Sequence, residues 1–122
     1  MSHTVVLDLK LKDKAVIQAV CRKLGLPIEE DVTFKQFSTT EHGTKITLPG
    51  WNYPVCVKED GTITYDNFNG RWGAQEELNK FTAHYGMEKA KVEARRQGFE
   101  IYEGVYQDGV DEGLELTINV ED

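Results

Sequence analysis

The stretch from Leu78 to Val120 constrains the fold most: a helical run punctuated by Gly86 and Gly98 feeds two strand-like segments joined by a glycine-rich acidic turn. Leu78, Phe81, Thr82 and Tyr85 fall at i, i+3, i+4 and i+7, the stripe of a helix with one buried face. Met87, Ala90 and Ala94 extend a narrower stripe beyond Gly86, which reads as two short helices or one bent one. Gly98 is placed to end it in a left-handed conformation, and Phe99, Ile101, Val105 and then Leu114, Leu116, Ile118, Val120 mark a hairpin across Asp108-Gly109 to Gly113.

Upstream, Val5, Leu7, Leu9 and Leu11 alternate with Val6, Asp8, Lys10 and Lys12, the period of a strand with one buried face. Asp13 stands where a helix cap belongs, Val16, Ile17, Val20, Cys21 and Leu24 repeat at helical spacing, and Gly25 and Pro27 supply a stop. A strand is expected over Val32–Ser38, with a bulge if Phe34 and Phe37 are to share a face. Ile46 and Leu48 begin an alternation interrupted by Pro49-Gly50 and resumed by Trp51, Tyr53, Val55 and Val57. Asp60-Gly61 then predicts a tight turn into Ile63 and Tyr65.

The string implies an α+β fold: a single antiparallel or mixed sheet of five to six strands with two helices on one face, a ferredoxin-like variant, in one domain spanning 1–122. A net charge of −7 gives a negative field that disfavours broad nucleic-acid binding and anionic lipid surfaces. Cys21 and Cys56 stand 35 positions apart with no CxxC spacing, so both read as reduced core residues. With no 18-residue apolar run and no leader-like start, a cytoplasmic location is expected, the host cytoplasm for a phage-encoded chain.

With Leu78-Asn79-Lys80-Phe81, His84-Tyr85 and Glu93 through Phe99 placed on the helical run, the chain resembles a small family of uncharacterised proteins of cyanobacteria, red-algal plastids and bacteriophages. Met1-Ser2-His3, the strand around Tyr53 and Leu114-Glu115-Leu116 support the likeness; Glu29 to Gly50 departs from it, and Thr4 replaces the usual aromatic. The resemblance implies a fold and a phage or cyanobacterial origin, and no activity, cofactor or site residue.

The chemistry-bearing motifs are sparse. His3, His42 and His84 form no HxxxH or HExxH, and no P-loop or dinucleotide fingerprint is present. Met1-Ser2-His3 has the order of an amino-terminal copper or nickel chelate, lost if Met1 is removed, and Asp108, Asp111 and Glu112 share a turn without EF-hand spacing. No metal or cofactor is therefore assigned, and the pattern leans against catalysis without deciding it.

What stands out is the loop with Asn67, Asn69, Arg71 and Trp72, whose amides, guanidinium and indole suit a planar ring and an anionic group, with Arg95 or Arg96 as helpers. The plainer reading makes Trp72 a staple before the second helix and Asn69-Gly70 a turn. Three functions follow: a non-catalytic binding or accessory protein engaging a protein partner through a sheet edge or the Phe81/Tyr85 face, compatible with a homo-oligomer, or a sequestering protein for a small anionic nucleotide-type signal. A small enzyme without recognisable motif, with Asp66 as a carboxylate catalyst, is the third.

Overall fold

The computed structural model describes residues 4–7, 9–107 and 112–120, with side chains for 4–7 and 9–98. Strands β1 (Val5–Leu7), β2 (Ile28–Lys35), β3 (Thr40–Ile46), β4 (Val55–Val57) and β5 (Ile63–Tyr65) form one antiparallel sheet in the order β1-β5-β4-β3-β2. Helices α1 (Lys14–Leu24) and α2 (Gln75–Arg96) complete the α+β fold expected from the element string. The order is a meander closed by β1; among the described residues no strands pair in parallel and no split βαβ unit forms, which lends no support to the ferredoxin-like variant. The last hairpin, β6 (Phe99–Gln107) and β7 (Glu112–Val120), forms its own ladder beside α2 rather than extending the sheet. Its turn at 108–111, and Met1-Ser2-His3, lie outside the described residues.

The core follows from pleat alternation. Ile46, Val55, Val57, Ile63 and Tyr65 point to one face and pack with Val16, Ile17, Val20 and Cys21 of α1 and Leu78, Phe81 and Tyr85 of α2. Phe81 and Tyr85 are thus core residues and not a docking face. α1 begins where the sequence places it: the Asp13 carboxylate accepts from the Val16 N–H at 3.2 Å, and Gly25 ends the helix at φ 69°.

Three expectations shift. β1 spans Val5–Leu7, and Leu9 to Leu11 lie outside any strand: Lys10 takes φ 55° where Gly61 approaches, and a Cβ on Gly61 would sit 2.7 Å from the Leu11 nitrogen, which donates to the Gly61 carbonyl at 2.9 Å. Leu11 is nevertheless buried. β2 runs earlier than expected, and its register shift lies between Glu29 and Val32, leaving Phe37 beyond the strand. α2 passes unbroken through Gly86, since its buried stripe continues to Ala94.

Candidate functional site

The Asn67–Trp72 loop is built from its backbone outward. Phe68, Asn69 and Gly70 take φ 48°, 55° and 93° in succession, a left-handed turn that costs roughly 1–2 kcal/mol for each non-glycine residue. Its surroundings hold it there. The Asp66 carboxylate accepts from the Phe68 N–H at 3.1 Å, and the Asn67 carbonyl accepts from the N–H groups of Gly70 and Trp72 at 3.0 and 2.9 Å. The buried Asn67 amide donates to the Gly73 carbonyl at 3.2 Å and to Gln75 Oε1 at 3.1 Å, clasping the loop to the start of α2. Asn67 is therefore a clasp, and Asn69 lies exposed at the tip.

Trp72 does not staple α2; Trp51 does. The Trp51 indole N–H donates to the Ala74 carbonyl at 3.0 Å, and Gly73 lies so close that a Cβ there would meet the indole at 2.4 Å. Trp72 instead joins a ring cluster. Phe68 stacks on it at 4.8 Å and 29°, Phe37 leans on it at 4.8 Å and 57°, and Tyr53 meets it edge-on at 5.5 Å. The Arg71 guanidinium lies over the Phe68 ring at 4.9 Å, within cation–π range.

Three chain segments meet here. The Asn52 N–H donates to the Trp72 carbonyl at 2.7 Å, while the buried Gln36 amide donates to the carbonyls of Pro54 and Thr64 at 3.2 and 2.8 Å. Gln36 thereby ties the Phe37 turn to the Tyr53 segment and to β5. Because three rings crowd Trp72, the outward ring is Phe37, which is 45% exposed.

The structure thus groups Asn67, Asn69, Arg71 and Trp72 with Phe68, the other aromatic of the loop, and adds Phe37 and Tyr53 from distant segments. It does not bring Arg95 or Arg96 to them. Those residues end the 22-residue α2, whose start adjoins the loop, so about 30 Å of helix intervenes.

A second cluster lies on β2 and β3. Thr33 stands directly opposite His42 in the ladder, with Thr33 Oγ1 2.7 Å from His42 Nδ1, and His42 Nε2 is 2.8 Å from Asp31 Oδ1. A cleft lined by Lys12, Lys14, Asp31, Gly43, Lys58 and Glu59, among others, adjoins it. No spacing rule joins these three residues, because the turn between β2 and β3 is what folds them together.

Among the described residues no three His, Cys, Asp or Glu side chains gather to hold a metal ion. Burial pushes both thiols up to about 11, keeping Cys21 and Cys56 protonated and unreactive at neutral pH. No described helix is long and apolar enough to cross a membrane. No protein-family model, curated protein or solved structure matches the chain.

Proposed function

We propose that the chain is a small binding protein whose ring patch holds a planar, anion-bearing ligand of the nucleotide type without turning it over. One observation carries this reading. In a chain with 21 acids against 14 bases, the patch segments 36–39, 51–54 and 66–73 contain two charges, the buried Asp66 and the exposed Arg71. The one acid of the patch is buried and its one base is exposed, so the charge it presents to solvent is the Arg71 cation, which can hold an anion that the whole molecule would repel.

The geometry supplies the rest. The Arg71 guanidinium lies over the Phe68 ring, and its N–H edges can fork onto a phosphate. Phe37 offers ring surface to a base, an interaction worth about 1–3 kcal/mol by alanine substitution. Sequestration of a signal nucleotide, in the host cytoplasm for a phage-encoded chain, needs nothing beyond such binding.

The test is thermal. Nucleotides and cyclic dinucleotides are titrated into the purified chain, and a ligand at a hundred times its Kd stabilises by about 2.7 kcal/mol. Phe37→Ala and Arg71→Ala, which spare the loop clasp, should each weaken the response at least ~10-fold, the equivalent of about 1.4 kcal/mol. No shift across the panel, or an unchanged shift in both variants, rejects the reading.

A second reading, a protein partner at the β1 edge, is favoured by Val6, 63% exposed on a strand that ends the sheet. If that partner is a second copy, sedimentation shows a dimer that Val6→Lys abolishes without altering the ligand response.

A further inference from the structure

We propose that Thr33, His42 and Asp31 form a separate acyl-transfer centre in which the Thr33 hydroxyl is the nucleophile, His42 the general base and Asp31 the positioning residue. The ladder sets the first contact: Thr33 and His42 are register partners, and hydroxyl and Nδ1 lie 2.7 Å apart. The second contact, Nε2 to Asp31 Oδ1 at 2.8 Å, places a ring proton on Nε2, the tautomer in which Nδ1 accepts from Thr33. Nucleophile, base and orienting carboxylate are thus connected in working order.

The backbone is bent to make this arrangement. Asp31 sits at the register shift between Glu29 and Val32 with φ 54°, and a bulge of this kind re-aims a side chain at some cost in local strain. Beside His42, Gly43 lets β3 approach β4 closely, since a Cβ there would stand 2.6 Å from the Val57 carbonyl oxygen. The adjoining cleft balances its charges: Lys14 pairs with Glu59 and Lys58 with Glu41, each at 3.2 Å, while Lys12 stands with Asp31 on the lining. Of the three residues only Asp31 lines that cleft, and the Thr33–His42 pair faces solvent, so the substrate class is a small activated ester whose leaving group departs without help from a pocket.

The step balances. Thr33 Oγ1 bonds to the ester carbonyl carbon as its proton passes to His42 Nδ1; the tetrahedral adduct expels the alcohol or phenol, which leaves with that proton, and Thr33 is acylated. Water then attacks the acyl-threonine, His42 takes and returns its proton, and the carboxylic acid departs. With the His42 and Asp31 side chains 56% and 88% exposed, the centre is open to substrate but surrounded by water. The base should therefore contribute near the low end of its range, about 100-fold.

The full chain is treated with p-nitrophenyl acetate, following phenolate release and mapping the acetyl group by peptide mass spectrometry. The expected result is acetyl on Thr33. Thr33→Val abolishes it, Thr33→Ser retains it, and His42→Gln slows it about 100-fold. Asp31→Asn, which keeps the side-chain shape and tolerates positive φ, should slow acylation roughly 10-fold with an unchanged melting temperature, and Asp31→Glu should restore part of the rate. Acetyl found on lysines alone, Thr33→Val reacting like the parent, or a rate no greater than that of free imidazole overturns the proposal. Any of these leaves the ring-patch reading untouched.

Discussion

Asp13 shows how much one side chain can organise. Its carboxylate caps α1 by accepting from Val16 N–H at 3.2 Å and from the Lys89 ammonium at 3.0 Å, while its own backbone N–H donates to the Tyr85 hydroxyl at 3.1 Å. The cap was legible from position alone; the tie to α2, 76 residues on, was not. The Lys89 hydrogen bond, then the Val16 N–H, hold the Asp13 carboxyl below its ordinary value of 3.8. Its stabilisation is therefore full above 3.8 and is lost as the pH falls through the lower folded-state value. Asp13 in turn holds Lys89 above 10.5, so that half of the linkage is present below 10.5 and fades as the pH rises through the folded value. Asp13→Ala should cost about 1 kcal/mol at neutral pH from the lost cap. Melting temperatures measured from pH 7 downward should converge for the two proteins below 3.8.

Elements were legible where a few neighbouring residues decide them. The Asp60-Gly61 turn forms as expected, with Gly61 at φ 87° and the Asp60 carboxylate accepting from the Thr62 N–H at 3.0 Å. β3 was hidden because Glu41-His42-Gly43-Thr44-Lys45 has no apolar alternation; it is a strand because β2 and β4 pair with it on both sides. That polar strand carries His42, which is why the Thr33–His42 contact could not be read in one dimension. α2 is the opposite case: Gly86 suggested a break, yet the helix is continuous and nothing lies within 4 Å of where its Cβ would be. Gly86→Ala should therefore stabilise the protein by about 0.5–1 kcal/mol, read as a higher denaturant midpoint with unchanged slope.

At the scale of the whole molecule, the sheet order determines which groups can act together. The Phe37 turn, the Tyr53 segment and the Trp72 loop converge through Gln36 and Asn52, although Phe37 and Trp72 are 35 residues apart. The same geometry separates Arg95 and Arg96 from Arg71 by the length of α2, against the grouping expected from the sequence. Replacing both by alanine should leave the nucleotide response of the ring patch within about twofold, while Arg71→Ala removes most of it; a matched loss in the double variant would instead place the ligand along α2. Titration calorimetry on the three proteins decides between these outcomes.

The α+β string, the Asp13 cap, the Gly25 and Gly98 helix ends, the Asp60-Gly61 turn and the loop that carries Arg71 are written into the order of residues, because each depends on backbone preferences and contacts within a few positions. Packing in three dimensions makes Phe37 the outward ring, sets Trp51 and not Trp72 to brace α2, and puts His42 between Thr33 and Asp31. The hydrophobic burial that condenses the chain is non-directional; strand order and register choose which distant side chains meet, and the pattern along the chain leaves both open.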